Sequence, residues 1–536
     1  MVTAMDDYEQ WIQEFEWNIP EDYTIAKAVD EHAEDPDRVA IYWEDDQGNE
    51  RAITYRELRD EANRLANALL DMGIEKGDRV MVVLPRLPEV FFTQIGAFKI
   101  GAIIVPCPEM LREKNIEYRS TNCEATTIVA SPPAAEHVDN VRDKTPLKNF
   151  VIVGGERDGW HSYSDLVSNA STDLEPQHVT AEDIMTINYT SGTTGDPKGV
   201  LHDHKWMYCF LETNARYWWD AHPDEVLWST TSPGWAKWFW SPLGVAITVG
   251  ASHVVYRGRF EPQKFLRLME KYGVNKLCAT PTEYRMWAQE NLEEYDLSEM
   301  TKFLSAGEAL NREVIERFKK AYGLQIHDGY GQTESSGLVC NYDGIDVRYG
   351  SMGKPMPGSG AAIVDEDGNE LPPGKIGQIA IPIDHPGLMV GYWNGEDLDD
   401  LAENGWYLTG DLAKKDEDGY FWFEGRADDV IKASGYRIGP FEVEDALVKH
   451  PAVVEAAVVA SPHEIRGNIV KAYVILAEKY EPGQDLIKEL QTFVKEETAP
   501  YKYPREIEFV DELPKTISGK IRRVELRERE RQKKGS

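Results

Sequence analysis

Between residues 55 and 72 apolar side chains recur at Leu58, Ala62, Leu65, Leu69 and Leu70, the spacing of a helix with one buried face. The next apolar stretch, 79–84, is short and unbroken, as a strand covered on both sides must be. The same alternation continues with a helix over 89–99 and strands over 101–106, 126–130 and 150–153. Beyond an apolar run at 184–187 it resumes with a helix at 211–218, a strand region at 246–256, a helix at 262–272 and a strand at 276–280. Alternation of this kind predicts α/β layers. From about residue 350 the runs shorten to 361–364, 377–381 and 421–423, punctuated by Gly-Asn, Pro-Gly and Asp-Gly, and read as hairpins of a β-rich subdomain. A last unit places helices at 442–450 and 486–498, strands at 453–459 and 472–476, and a basic tail. The expected fold is therefore α/β: a large N-terminal domain, 1–427, of layered α/β subdomains plus the β-rich subdomain, and a small α+β domain, 428–536. The boundary falls at Arg426-Ala-Asp-Asp429.

Length and charge narrow the reading. At 536 residues the chain exceeds what one hydrophobic core supports. The best membrane candidate, 238–256, is interrupted by Pro242, glycines and His253 and is rejected as a span. The acidic N-terminus lacks the apolar core of a secretory leader. Five cysteines stand far apart without Cys-x-x-Cys, which predicts reduced thiols and a cytoplasmic protein without a zinc ribbon. The formal charge of −35 repels polyanions, so nucleic acid is not an expected partner. That excess fits either ordinary acidic solubility or a salt-rich cytoplasm. The tail is the exception, with nine Lys or Arg against three Glu between 515 and 534.

The chemistry begins at 189–200, Tyr-Thr-Ser-Gly-Thr-Thr-Gly-Asp-Pro-Lys-Gly-Val. Its glycines let backbone N–H groups approach an anion, and four Ser/Thr hydroxyls and Lys198 add donors. It matches neither the P-loop nor the Gly-x-Gly-x-x-Gly pattern, so composition alone leaves a phosphate grip and an ordinary loop equally open. Later motifs are individually ambiguous. Ser305-Ala-Gly-Glu-Ala-Leu310 could simply be a helix N-cap. Asp328-Gly-Tyr-Gly-Gln-Thr-Glu-Ser335 suits a nucleotide and its metal, or a β-turn. Tyr407-Leu-Thr-Gly-Asp411 and Phe423-Glu-Gly-Arg-Ala-Asp428 offer groups for sugar hydroxyls that surface turns also use. Pro514-Lys-Thr-Ile-Ser-Gly-Lys520 alone would be a solvated basic tail.

In this order along one chain, the six motifs resemble the adenylate-forming superfamily of acyl-CoA synthetases, luciferases and non-ribosomal adenylation domains, over nearly the whole length. The medium-chain acyl-CoA synthetases are the most similar, on Ser434-Gly-Tyr-Arg437, Pro462-His-Glu-Ile-Arg-Gly467 and Tyr501-Lys-Tyr-Pro-Arg505. The resemblance implies an AMP-forming acid–thiol ligase that joins a carboxylate to AMP, expels pyrophosphate, and lets the CoA thiol displace AMP. Its substrates would be ATP, CoA and a small carboxylic acid. Thr190, Ser191, Gly192, Thr193, Thr194 and Lys198 would then grip the β- and γ-phosphates. Adenine would lie against Tyr330 beside Gly307, Glu308 and Ala309, with Asp328, Gly329, Gly331 and Gln332 completing that wall. Thr333 and a Mg2+ on Glu334 would stabilise the α-phosphate, and Asp411 and Arg426 would hold the ribose. Lys520 would bridge the acyl carboxylate and the α-phosphate, a task suited to a compact cation. In the family the small domain swings about a hinge, here Asp428, to bring Lys432, Ser434, Gly435 and Arg437 to a CoA tunnel, with Arg466, Lys495 and Tyr503 as further CoA contacts.

The acyl pocket would involve Trp235, Lys237 and Trp238 of Pro233-Gly-Trp-Ala-Lys-Trp-Phe-Trp240, although such an aromatic cluster is more often core. If it lines the pocket, its bulk favours a medium-size, branched or aryl acid over a long straight chain. Lys237 could face solvent, pair with an acid or meet a polar acyl group. Two alternatives remain. A stand-alone enzyme loading an acyl or peptidyl carrier protein would share every motif, and a non-catalytic acyl-adenylate-binding protein would be expected to have damaged ones. An oxygen-dependent luciferase has no positive sign. The oligomeric state is open, a homo-oligomer included.

Overall fold

The computed structural model describes residues 4–190, 196–307, 310, 312–433, 436–463, 467–515 and 521–534, with 4–7, 432, 436 and 437 as backbone alone. The chain forms two compact units, Met1–Gly360 with Pro382–Ala402, and Ala361–Ile381 with Glu403–Ser536. The second unit thus takes in β-rich segments that the sequence boundary at 428 attaches to the N-terminal domain.

Two large sheets organise the first unit. One has nine strands, in the order Lys354–Pro355, Gly337–Cys340, Ile326–Gly331, Lys302–Ala306, Lys276–Ala279, Val226–Ser229, Ser252–Arg257, Val39–Asp45 and Glu50–Thr54. Its six central strands run parallel, and antiparallel strands close both edges. The other has eight, from His161–Ser162 through Asn149–Ile152, Thr127–Ala130, Arg79–Val83, Ile103–Pro106, Ile184–Thr190 and Lys198–Asp203 to Gly391–Tyr392. Strands such as Ile103–Pro106 and Thr127–Ala130 are buried along their whole length, which is why their sequences read as unbroken apolar runs. Helices Tyr55–Asp71 and Pro88–Lys99 cross closely where Gly96 sits. A Cβ there would stand 2.7 Å from the Ala62 carbonyl oxygen, so only glycine allows this approach.

One segment departs from its expected form. Strand begins only at Ser252, and Phe239–Ile247 is a buried π-helical stretch with Pro242 inside it. Proline lacks an N–H to donate, and a locally widened helix accommodates that loss better than a regular one. Among the described residues no helix is long and apolar enough to cross a membrane. All five cysteines are unpaired and buried.

In the second unit the strands Trp406–Lys415 and Phe421–Arg426 pair antiparallel. A three-stranded sheet, Val453–His463, Gly467–Leu476 and Glu506–Phe509, carries the helices Pro440–Val448, Gln484–Glu497 and Arg523–Lys534. Several basic residues of the C-terminal helix are paired with acids. Arg523 pairs with Glu444 at 2.6 Å, Arg527 with Asp429, Lys533 with Glu508 at 3.0 Å and Lys534 with Glu506 at 2.6 Å. On the inner face of its helix, fully buried Glu530 accepts from Ser461 Oγ at 2.7 Å, Lys471 Nζ at 2.7 Å and the Tyr473 hydroxyl at 2.6 Å.

Candidate active site

The phosphate loop tops a hairpin. Ile184–Thr190 and Lys198–Asp203 pair antiparallel, with Thr190 opposite Lys198 and Tyr189 opposite Gly199. Ser191, Gly192, Thr193 and Thr194 lie outside the described residues. Lys198 is exposed, and its ammonium stands 4.6 Å from the centre of the Tyr392 ring.

Residues 333–335 meet the returning strand of that hairpin. His202 Nε2 donates to the Thr333 carbonyl at 2.6 Å, and Trp206 Nε1 to the Ser335 carbonyl at 3.1 Å. The two rings stack 3.7 Å apart and nearly parallel. Burial pushes His202 down to about 3, so the ring is neutral and serves as a fixed donor. Glu334 accepts from the Tyr392 hydroxyl at 3.2 Å, while its carbonyl accepts from Met389 N–H at 2.8 Å. Among the described residues no group of three or more His, Cys, Asp or Glu side chains could hold a metal ion. A single carboxylate at Glu334 nevertheless suits Mg2+, which is commonly held by one or two carboxylates together with substrate phosphates.

Beside it, Ser305 and Ala306 run parallel to Asp328 and Gly329, which brings the SAGEAL and DGYGQTE segments together at the carboxyl ends of adjacent strands. Such strand ends are where open α/β sheets bind ligands. The DGYG residues are strand rather than turn, with Tyr330 half-buried opposite Val339. Gly307 has φ +110°, a conformation that favours glycine, while Glu308 and Ala309 lie outside the described residues. Burial holds the Asp328 carboxyl well above the usual carboxylate range. At Gly331 an added Cβ would stand 2.3 Å from the Ser336 carbonyl oxygen and 2.8 Å from the Trp240 ring. Gly331→Ala is therefore expected to displace this strand end and cut adenylation by about 10²-fold, the usual cost of an ångström-scale misplacement. ATP titrations of pyrophosphate release check this, and wild-type kinetics would refute it.

The 233–240 segment, expected to line the acyl pocket, adjoins the same strand through Trp240, a residue the sequence reading did not name among the pocket residues. Trp238 is core: it is 1% exposed, packs on Phe91 and donates to Gln94 Oε1 at 3.0 Å. Trp235 is half-buried. The Lys237 ammonium is buried beside the Cys278 thiol, which removes the solvent-facing option.

In the second unit Asp411 and Arg426 occupy paired positions on neighbouring strands, 3.5 Å apart. Asp428 is exposed on the short helical turn Ala427–Asp429. Lys432 and Arg437 are paired across a hairpin by backbone register, and their side chains, like all of Ser434, Gly435 and Arg466, are outside the described set. Lys495 lies over the Tyr503 ring at 4.0 Å, and Arg505, which the sequence reading did not single out, donates to the Tyr503 hydroxyl at 2.9 Å. Lys520 is also outside the described residues. Its flanks are fixed by a bridge between Lys515 and Ile521 and an ion pair of Lys515 with Glu455 at 2.9 Å.

Comparisons with known proteins identify the family. Residues 29–393 match the AMP-binding enzyme family and residues 442–520 the AMP-binding enzyme C-terminal domain. An uncharacterized acyl-CoA ligase of Bacillus subtilis, YtcI, is 45% identical over 96% of this chain and 98% of its own length. The human mitochondrial acyl-coenzyme A synthetase ACSM3 is 40% identical over 98% of this chain and 92% of its own. Among solved structures, the anthranilate CoA ligase AuaEII, determined with anthranoyl-AMP, superposes with a TM-score of 0.89 at 30% identity, covering 97% of this chain and 99% of that one. Matches that run from end to end, in the order the motifs predict, place the chain in the AMP-binding enzyme family, among the AMP-forming acyl-CoA synthetases.

Proposed function

We propose that this ligase activates a medium-size, branched or aryl carboxylic acid, uses free CoA as the acceptor, and works in the cytoplasm. What supports the acid class is one contact: the Trp240 ring lies against Gly331, so the bulky 235–240 segment adjoins the strand on which the adenylate would form. A pocket walled by such rings is shallow, which penalises long chains. Five unpaired cysteines favour a reducing compartment.

In this reading the 189–200 hairpin and Lys198 hold the phosphates that leave, Tyr330 carries the adenine, and Asp411 with Arg426 holds the ribose. Glu334 carries Mg2+, which when bound neutralises charge on the phosphate oxygens. Lys520 binds both reacting anions in the first half-reaction. The 428–536 domain turns about Asp428 and presents the Lys432–Arg437 hairpin, with Lys495 and Tyr503, to CoA in the second.

The test is pyrophosphate release over a panel of straight, branched and aromatic acids, with and without CoA. Release is expected to require an acid, to peak for compact acids, and to turn over repeatedly when CoA is added. Pyrophosphate release independent of any acid would overturn the reading. Turnover with a phosphopantetheinyl carrier protein and none with CoA would establish the carrier-loading alternative.

A further inference from the structure

Tyr392 lies 58 residues after Glu334 in the chain and belongs to none of the motifs that carry nucleotide chemistry. Its placement is nonetheless specific. Gly391–Tyr392 forms a third strand on the phosphate hairpin, Tyr392 opposite Val200 and Gly391 opposite Leu201. The turn behind it is pinned from two sides. Trp393 N–H donates to the Gly199 carbonyl at 2.8 Å, and the Trp393 indole and Asn394 amide both donate to the Asn122 carbonyl, at 2.7 and 2.9 Å. From this fixed base the half-buried phenol reaches the two charged groups of the site at once. Its hydroxyl donates to Glu334 Oε1 at 3.2 Å, and its ring face receives the Lys198 ammonium 4.6 Å away.

Those two groups have opposite tasks and opposite charge. A lysine and a carboxylate that met directly would pair with each other, spending the donor meant for phosphate and the acceptor meant for metal. A phenol engages both without joining them: its quadrupole attracts the cation to the ring face, and its hydroxyl supplies the carboxylate with one donor. We propose that Tyr392 is a positioning residue that keeps Lys198 and Glu334 separate and aimed, and so sets the affinity for the metal-bound triphosphate. The inference rests on the reading of Glu334 as the metal carboxylate.

Binding of α,β-methylene ATP, which cannot be split between the α- and β-phosphates, tests it by calorimetry with Mg2+ and with chelator. Tyr392→Phe keeps the ring and loses the hydroxyl. It is expected to weaken binding about ten-fold in Mg2+, the scale of one hydrogen bond to a charged group, and to leave binding in chelator unchanged. Tyr392→Leu, which also loses the ring, is expected to weaken both. Conversion of supplied acyl-AMP to thioester should be unaffected in Tyr392→Phe. Equal weakening with and without Mg2+ in Tyr392→Phe, or equal loss in both half-reactions, would reduce Tyr392 to a packing residue and overturn the inference. Glu334→Gln separates the two levels. If it weakens Mg2+-dependent binding while Tyr392→Phe does not, Tyr392 has no such role; if it has no effect, the reading of Glu334 fails and the inference with it.

Discussion

Lys520→Ala is expected to lower acid-dependent pyrophosphate release by at least about 10²–10³-fold, the cost of removing one preorganised donor from a charge-developing centre. The carboxylate and the α-phosphate are both anions, and joining them demands a cation compact enough to touch both; alanine leaves their repulsion uncompensated. The loss should be confined to that half-reaction. Supplied acyl-AMP already contains the bond that Lys520 helps to form, so its conversion to thioester should proceed at near the wild-type rate. Nor should the substitution unravel its surroundings, because the Lys515–Ile521 bridge and the Arg522 N–H to Pro514 carbonyl bond of 2.8 Å hold the segment by backbone. Separate assays of pyrophosphate release and of thioester formation check this. Equal losses in both would show that the lysine serves the two steps alike, against the alternation proposed above.

The second large effect is on stability. Glu530→Ala would leave Lys471, whose side chain is 7% exposed, without its buried partner; the half-exposed Glu508 at 2.7 Å and Glu506 at 3.9 Å remain close to it. Breaking a buried pair from one side costs roughly 3–5 kcal/mol, and calorimetry should show the second unit melting early. Glu530→Gln, which keeps the volume and one acceptor, should lose less. Burial alone would raise the Glu530 carboxyl, but hydrogen bonds from Lys471, Tyr473 and Ser461 overcome it and hold it at about 2, against an ordinary value of 4.5. A carboxyl depressed on folding contributes stability that is complete above its unfolded value and lost as pH falls through the folded one. Acid unfolding of the wild type should therefore include a component between about pH 4.5 and 2 that Glu530→Ala lacks. Identical acid profiles would remove Glu530 from that account.

Much of this was legible before any coordinates. Unbroken apolar runs marked the parallel strands because burial on both faces leaves no room for polar side chains. The Ile184–Ile187 run followed by a glycine-rich loop marked one arm of the phosphate hairpin. What stayed hidden was hidden for physical reasons. Tyr392 acquires its role through strand pairing with residues almost two hundred positions earlier, and nothing local distinguishes its Gly-Tyr-Trp-Asn-Gly surroundings from an ordinary turn. Trp240 reaches Gly331 from the helical stretch Phe239–Ile247, which runs across Pro242 where local rules place a break. The C-terminal helix carries a pattern that net charge conceals: Arg523, Arg527 and Glu530 recur at helical spacing on one face, where they meet Glu444, Asp429 and Lys471 of the second unit.

The buried cysteines have a practical consequence. Because Cys107, Cys123, Cys209, Cys278 and Cys340 are all shielded, thiol reagents should leave the native chain unmarked under folding conditions. The protein is in effect a blank background for site-directed probes. Lys114→Cys and Lys479→Cys, at exposed positions in the first and second units, would offer two addressable thiols without prior removal of native ones. A pair of dyes there would read the separation of the two units as ATP, acid and CoA are added in turn, following the proposed swing in time.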